Sequence, residues 1–252
     1  MAEGLSVSTV DGRILLLVLD NPPANAMSAD MLAAMAEALA AGDENTDLRA
    51  VVLTAEGPSF CSGADLKAAH RNGGFDAAAS FGRVLDQLAA SRAPAIAAIN
   101  GHCVGGGLEL AACCDLRIAS TEARFVAAGV NVGLMASAWR LPRLIGPARA
   151  KAMLLTGSPI DAARAERWGL VTSLHAPGEL RDAALALARR IASRAPLSVE
   201  ATKRMADQAA LLSPEAWREA AGREMAHLLA SRDHKEALAA FAGKREPAFR
   251  RA

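Results

Sequence analysis

The 252 residues allow one large domain, or one domain with a helical appendage. With 52% hydrophobic and 22% charged residues, the composition is typical of a soluble globular protein with an ample core. The net charge of +1 argues against nucleic-acid binding, and no apolar run is long enough to span a membrane.

The chain begins with a predicted hairpin and a predicted helix. Two β-rich runs, 5–10 and 14–19, flank an Asp-Gly pair, which is typical of a hairpin turn. Ser28 then predicts the N-cap of a helix over 29–41, and Gly42 is expected to end that helix.

The next unit joins a strand to a loop of small residues. The apolar run AVVLTA, 50–55, predicts a buried strand, and SFCSGADLK, 59–67, follows it as a loop. Asp65 in this loop could cap the segment after it. Strands that alternate with helices favour βαβ units and a parallel sheet.

A glycine-rich stretch, 95–115, reads AIAAINGHCVGGGLELAACCD. Its opening, 95–99, predicts a buried strand, and the glycines at 105–107 fall between that strand and a buried helix. Backbone N–H groups at a helix N-terminus lack intrahelical partners and favour negative charge. The P-loop Lys and Ser/Thr and the Rossmann glycine spacing are both missing. The stretch therefore indicates either an oxyanion site with Glu109 beside it or glycines needed only for close packing.

The remainder of the chain is mostly helical by prediction. A strand over 115–119 follows the glycine-rich stretch, and a short strand is expected over 170–174. Helices are expected over 149–155, 162–168, 179–193, 198–211, 214–230 and 234–241.

Cysteine spacing and the N-terminal residues bear on compartment. Cys61, Cys103, Cys113 and Cys114 show no C-x-x-C spacing, so we expect buried reduced thiols and no metal site. The first residues have neither the basic nor the long apolar segment of a secretory signal. We expect a cytoplasmic protein.

The two loop motifs together carry a family resemblance. FCSGADL, 60–66, followed by AINGHCVGGGLELAACCD, 98–115, resembles the crotonase (enoyl-CoA hydratase/isomerase) superfamily, and the similarity covers nearly the whole chain. It implies an α/β protein with the crotonase (ClpP/crotonase-like) fold: a spiral core of ββα repeats over 1–195 and a C-terminal helical trimerisation region over 196–252. It also implies a homo-oligomer, a trimer or a dimer of trimers. The residues themselves show no repeat.

The resemblance also implies the site residues. In the family, two backbone N–H groups polarise the thioester carbonyl of an acyl-CoA, and by motif alignment these belong to Ala64 and Gly106. Glu109 matches the family's first catalytic Glu; its other interpretation is a carboxylate that only opposes the helix dipole. Further acyl-CoA contacts are implied for Ala24, Ala26, Asp65, Leu66, Lys67, Gly105, Gly129 and Lys244. Lys244 could equally be an exposed tail lysine. Coenzyme A is part of the substrate, so no separate cofactor is expected.

One segment departs from the family pattern. The family's hydratases carry a second catalytic Glu four residues after the equivalent of Phe125, and that position is Gly129 here. Segment 127–140 is also shorter than its family counterpart, and its polar residues, Asn131, Ser137, Trp139 and Arg140, include no good base near neutral pH. His70 could be a pocket base or a solvated loop histidine.

Three functions remain open at this point. The leading prediction is a lyase, an enoyl-CoA hydratase that uses Ala64 and Gly106 as oxyanion hole and Glu109 as acid/base. A double-bond isomerase needs only one proton shuttle, although the isomerases compared usually keep the missing carboxylate. An acyl-CoA-binding protein without activity would keep both loops and fits Gly129. The resemblance implies a part in fatty acid metabolism, while the residues do not indicate the acyl chain or the pathway.

Overall fold

The computed structural model describes residues 3–65 and 75–252, with residues 75–78 described as backbone only. The strands are β1 (Leu5–Val10), β2 (Ile14–Leu19), β3 (Ala50–Ala55), β4 (Ser59–Cys61), β5 (Ala95–Ile99), β6 (His102–Val104), β7 (Leu116–Ser120), β8 (Arg124–Val126), β9 (Ile160–Asp161) and β10 (Leu174–His175). The helices are α1 (Ala29–Glu44), α2 (Phe75–Ala90), α3 (Gly106–Cys113), α4 (Arg140–Ile145), α5 (Pro147–Thr156), α6 (Ala162–Trp168), α7 (Leu180–Ala192), α8 (Pro196–Gln208), α9 (Pro214–Ala230) and α10 (Arg232–Ala242), with 3-10 turns at Ala128–Val132 and Pro177–Glu179.

The strands form two sheets. One has the order β1-β2-β3-β5-β7-β10, with the predicted β1–β2 hairpin antiparallel and every later pair parallel. The other has the order β4-β6-β8-β9, and only its β8–β9 pair is antiparallel. The predicted α/β class and parallel sheet are therefore confirmed.

From β3 to β8, consecutive strands alternate between the two sheets. β3, β5 and β7 belong to the first sheet, and each is followed directly by a strand of the second, β4, β6 and β8. α3 comes next after β6, which completes a ββα unit of the kind that the resemblance implies. Each unit brings the loop after its second strand to the same edge of the second sheet.

Strand β3 is buried on both faces, which explains its continuous apolar sequence. Val51 and Leu53 lie in the main core. Val52 faces the other way and belongs to a second apolar cluster with Leu180 and Ala184 of α7. β3 therefore packs against both apolar clusters, one on each face of the sheet. Its fixed position determines where the loop that follows it begins.

Three local predictions were wrong. Residues 59–61, expected as part of a loop, form β4 and pair with β6. Helix α1 continues through Gly42 to Glu44. A Cβ at Gly42 would lie 2.9 Å from Leu48 Cδ2, so the glycine serves close packing and not termination. The strand expected over 170–174 is only Leu174–His175. Leu170 O accepts from Arg117 Nε at 2.8 Å. The segment still lies along β7, because Thr172 N donates to Arg117 O at 2.8 Å and Ala119 N donates to Ser173 O at 3.1 Å, but these bonds do not make a longer strand.

The C-terminal helices are joined to the rest of the chain through a buried carboxylate. Glu200 on α8 is 5% exposed and accepts from Arg92 Nη1 at 2.9 Å and from Arg251 Nε at 2.8 Å. Asp233, also buried, accepts from the backbone N–H groups of Arg250 and Arg251 at 2.8 and 2.9 Å. The division into a core over 1–195 and a helical region over 196–252 stays a prediction. Among the described residues, no helix combines the length and apolar character needed to cross a bilayer.

We expect Glu200→Gln to lower the free energy of unfolding at neutral pH by about 2–3 kcal/mol, because it leaves two guanidinium groups without their anion. Burial alone would raise the pKa of Glu200, but hydrogen bonds and charge from Arg251 and Arg92 bring it below the ordinary value of 4.5. Its stabilising contribution is therefore complete above that value and is lost as the pH falls through the folded-state pKa.

Urea titrations across acid and neutral pH test this expectation. The variant and the wild type should converge in stability as the pH falls below the lowered folded-state pKa of Glu200. Glu215→Gln is the matched control, because Glu215 forms an exposed pair with Arg218 and its loss should change the free energy by no more than about 0.5 kcal/mol. A difference for Glu200→Gln that does not vary with pH would contradict the assignment.

Candidate active site

The loops that follow β4 and β6 touch through two glycines. A Cβ on Gly63 would lie 2.8 Å from Gly106 N, and a Cβ on Gly106 would lie 2.8 Å from Gly63 Cα. Gly63 also has φ +93°, a conformation that residues with a side chain rarely adopt. The contact is therefore backbone against backbone, with no room for a side chain between the loops.

Met27 fixes the orientation of the loop that contains Ala64. Met27 N donates to Gly63 O at 2.8 Å, and Asp65 N donates to Met27 O at 3.2 Å. In this parallel bridge Met27 uses its own N–H and C=O, whereas the opposite segment uses the C=O and N–H of the two residues that flank Ala64. The N–H of Ala64 is consequently directed away from Met27.

The turn that leads to Met27 is held by Asn25, which is 2% exposed and has φ +50°. Its Nδ2 donates to Glu56 O at 2.9 Å and to Ser59 O at 2.6 Å. Ala24 and Ala26 flank Asn25 and are half-buried. The structure thus brings these two predicted contact residues to the turn beside the Ala64 loop.

The second loop enters helix α3. Gly105 N donates to Val126 O at 2.9 Å, and the helix begins when Glu109 N donates to Gly105 O at 3.2 Å. The N–H groups of Gly106, Gly107 and Leu108 precede that bond and have no intrahelical acceptor. Two backbone loops with available N–H groups that touch at Gly63 and Gly106 are suited to hold an oxyanion.

Close packing is also required, at the neighbouring glycine. A Cβ on Gly107 would overlap the carbonyl oxygen of Cys61, and one on Gly101 would overlap that of Pro58. The close-packing interpretation of the glycine-rich motif therefore applies at Gly101 and Gly107. Gly106 meets the Ala64 loop, and its part in an oxyanion site stays a prediction.

Glu109 lies in the first turn of α3, with its side chain 17% exposed. Its Oε1 is 3.5 Å from Arg140 Nε, whereas its Oε2 is buried and has no hydrogen-bond partner among the described residues. Arg140 Nε also donates to Cys113 Sγ at 2.9 Å. Burial raises the pKa of Cys113 to about 12, so this thiol is neutral at physiological pH. A carboxylate with one free buried oxygen is available for proton transfer.

The structure explains the glycine at position 129. Gly129 is buried, and a Cβ there would lie 2.8 Å from Leu134 O and 3.0 Å from Ala136 N. Leu134 N also donates to Gly129 O at 2.8 Å, which holds the loop closed on the glycine. Backbone atoms of the same loop occupy the space that a side chain would need.

The remaining predicted residues are less well connected to the site. Leu66, Lys67 and His70 lie outside the described residues. Lys244 is exposed and follows α10, where its N–H donates to Phe241 O at 3.2 Å. A contact between Lys244 and coenzyme A stays a prediction. All four cysteines are buried and free, as the sequence predicts.

Sequence reasoning missed two contributors to the site. The sequence gives Arg140 no role as a base, and it does not show that Arg140 lies beside Glu109, because the two residues are far apart along the chain. Phe81 of α2 lies against Gly106, where a Cβ would be 3.0 Å from its Cε1. The one signal in the sequence is helical spacing, which places Glu109 and Cys113 on one face of α3. It indicates which face could meet a partner, but it does not identify Arg140 or Phe81 as that partner.

Both the sequence and the fold of this chain are similar to those of known proteins of one family. The family model described as enoyl-CoA hydratase/isomerase matches residues 9–252. The (E)-benzylidenesuccinyl-CoA hydratase of Thauera aromatica is 41% identical over 96% of this chain and 97% of its own length. The carnitinyl-CoA dehydratase of Salmonella arizonae is 36% identical over 99% of both chains. The crystal structure of an enoyl-CoA hydratase from Bacillus anthracis superposes with a TM-score of 0.95 at 29% identity, covering 99% of this chain and 100% of that one. The predicted crotonase fold is confirmed.

The steric role of Gly107 can be tested by stability. We expect Gly107→Ala to lower the free energy of unfolding by about 3 kcal/mol or more, because the methyl group must displace the Cys61 carbonyl. Gly82 of α2 has open space around its Cβ position, so Gly82→Ala should raise the free energy by about 0.5–1 kcal/mol. Urea denaturation compares the two, and a Gly107→Ala protein as stable as the wild type would contradict the packing argument.

Proposed function

Because this chain belongs to the enoyl-CoA hydratase/isomerase family, we propose that it is a hydratase that adds water to a 2-enoyl-CoA thioester. The observation that carries the proposal is the position of Glu109. Its free buried oxygen lies in the first turn of the helix whose N-terminus touches the Gly63 loop. Coenzyme A enters the site as part of the substrate.

The two loops act on the thioester carbonyl. The N–H groups of Ala64 and Gly106 donate hydrogen bonds to its oxygen, where negative charge develops as water attacks C3. Removal of one such donor typically costs about 100- to 1,000-fold in kcat in enzymes that use an oxyanion hole. The donors are backbone groups, so loop geometry and not side-chain identity controls this part of the reaction.

Glu109 carries the proton. Its Oε2 removes one proton from water while the water oxygen bonds to C3, and the electron pair of the C2=C3 bond moves towards C2 and the carbonyl oxygen. The protonated Glu109 then delivers that proton to C2 as the enolate collapses, which gives a 3-hydroxyacyl-CoA. One carboxylate is base first and acid second, so atoms and charge balance without a second carboxylate at position 129.

An acyl-CoA-binding protein without turnover is the second candidate, and Gly129 favours it. Both donor loops would still hold the thioester, but the family's second carboxylate has no counterpart at that position. A double-bond isomerase also needs only one proton shuttle. The relatives named hydratase and dehydratase favour hydration over both.

Replacement of the carboxylate distinguishes hydration from binding alone. We expect Glu109→Gln to lower the rate of hydration of a short 2-enoyl-CoA at least about 100-fold, because the amide cannot accept and return a proton. Acyl-CoA affinity, measured by calorimetry, should change little. Glu37→Gln, at an exposed position on α1, is the matched control with wild-type activity.

The possible outcomes separate the candidates. An unchanged hydration rate in Glu109→Gln would show that another residue is the base. A wild type that binds several acyl-CoAs but converts none of a panel of enoyl-, 3-enoyl- and 3-hydroxyacyl-CoAs would favour the binding protein. Conversion of 3-enoyl-CoA without hydration would favour the isomerase.

We also propose that the protein is a homo-oligomer, a trimer or a dimer of trimers, and that it acts in the cytoplasm. Helices α9 and α10 support the oligomer because four of their apolar side chains are more than half exposed. These are Met225, Leu229, Leu238 and Phe241, with exposed fractions of 56, 55, 58 and 87%. Apolar surface of this kind on neighbouring helices is typical of an interface.

Light scattering at micromolar concentration tests the assembly. We expect a mass near three or six times the chain mass of 26.1 kDa. Phe241→Asp should shift the equilibrium towards the monomer, because a charge would be buried in the interface. A monomer mass for the wild type would overturn the oligomer and any contact of Lys244 with a neighbouring subunit's substrate.

A further inference from the structure

We propose that Arg140 is a positioning residue that orients the Glu109 carboxylate for proton transfer, an inference that rests on the proposed function. Arg140 is the first residue of α4, and its side chain is 17% exposed. Its guanidinium group reaches α3, where Nε lies 3.5 Å from Glu109 Oε1 and donates to Cys113 Sγ at 2.9 Å. Because Glu109 and Cys113 are one helical turn apart, Arg140 spans the face of α3 that carries the carboxylate.

The other partners of Arg140 do not compete for its charge. Cys113 is neutral, since burial keeps the thiol protonated at physiological pH. Asp86 Oδ1 is 3.6 Å from Arg140 Nη2, but the Asp86 side chain is 86% exposed, and ion pairs in solvent contribute little. Within the part of the chain that the structure describes, Glu109 is therefore the partly buried anion that this guanidinium group faces.

The contact leaves one carboxylate oxygen free for chemistry. A separation of 3.5 Å exceeds the 2.7–2.9 Å that is typical of a charge-assisted hydrogen bond. Arg140 thus balances the charge at Oε1 and restricts the carboxylate, while the buried Oε2 keeps no partner of its own. The geometry assigns proton transfer to Oε2.

The local backbone holds Arg140 in this place. The neighbouring Leu141 is fully buried, and its N–H donates to Ser137 O at 3.0 Å. Trp139 packs against the guanidinium group, with Arg140 Cζ 5.3 Å from the ring centroid. Arg143 stacks on the same ring at 3.8 Å, whereas the ion pair with Glu109 is made by Arg140. The chain therefore supplies two neighbouring arginines of which only one reaches the carboxylate.

Gly129 explains why orientation matters in this chain. A second carboxylate could share the task of placing water, but the loop backbone fills that position. A single carboxylate must then present the same oxygen first to water and next to C2. A displacement of about 1 Å in such a group can cost about 100-fold in rate.

The test compares Arg140→Met with Arg143→Met, which removes the neighbouring charge from the same helix. We expect Arg140→Met to lower kcat by at least about tenfold with little change in KM, because the carboxylate loses its orientation while the thioester donors stay in place. Arg143→Met should keep the wild-type kcat. Arg140→Lys should recover part of the loss, because it restores a cation at the same position.

A double-mutant cycle separates positioning from an independent role. If Arg140 acts through Glu109, Arg140→Met should cause no further loss of rate in the Glu109→Gln protein. A further loss of tenfold or so in the double variant would overturn the proposal. If Arg140→Met does not fold, as judged by circular dichroism, Arg140→Gln carries the same comparison, and an unchanged kcat there would also overturn it.

A second reaction keeps this inference distinct from the hydratase proposal. Exchange of the C2 hydrogens of a saturated acyl-CoA with D2O, followed by NMR, needs the two donor loops and Glu109 but no addition of water. If the wild type exchanges hydrogen without hydrating, hydratase function fails, and the exchange rates of the variants still decide the role of Arg140. If Arg140→Met and Arg143→Met behave alike in both reactions, the Arg140 proposal fails and hydration stands. A wild type inactive in both reactions overturns both.

Discussion

The contact between the backbones of Gly63 and Gly106 constrains the rest of the site. β4 and β6 are neighbours in the second sheet, so the loops that follow them leave the sheet side by side. They can touch only because neither residue has a side chain at the contact. Pairing of Met27 with the first loop then sets the direction of the Ala64 N–H, and the start of α3 sets that of Gly106. The positions of the two proposed donors, the N–H groups of Ala64 and Gly106, thus follow from the strand order and from the close contact of the two backbones.

The same constraint determines which side chains can take part in chemistry. Gly107 packs against the Cys61 carbonyl and so fixes the rotation of α3 about its axis. With that rotation fixed, Glu109 and Cys113 face α4, where Arg140 lies across them. The packing requirement at Gly107 therefore also determines where the Glu109 carboxylate lies.

Local patterns predicted the strands of the first sheet up to β5, because an apolar run bounded by turn residues has few alternatives, but they did not predict the short strands β4 and β6 of the second sheet. β3 and β5 have the predicted bounds. The errors occurred at residues with distant contacts that no local pattern shows: Gly42 packs against Leu48 inside α1, and Leu170 accepts from the Arg117 side chain. The contact of Arg140 with Glu109 belongs to the same class, since no spacing along the chain relates α3 to α4. The second sheet's parallel order also depends on crossovers that periodicity does not reveal.

In the loop after β8, the absence of a carboxylate at position 129 depends on the path of the whole loop and not only on the residue at that position. The φ of Gly129 is not positive, so its backbone conformation would accept other residues. What excludes a side chain is the return of the loop, with Leu134 O and Ala136 N against the Cβ position. Gly129→Glu alone would therefore displace the loop instead of restoring a carboxylate. The same loop continues to Ser137, whose carbonyl accepts from Leu141 N at the start of α4. The closed loop at Gly129 and the position of Arg140 beside Glu109 are consequently two results of one backbone path.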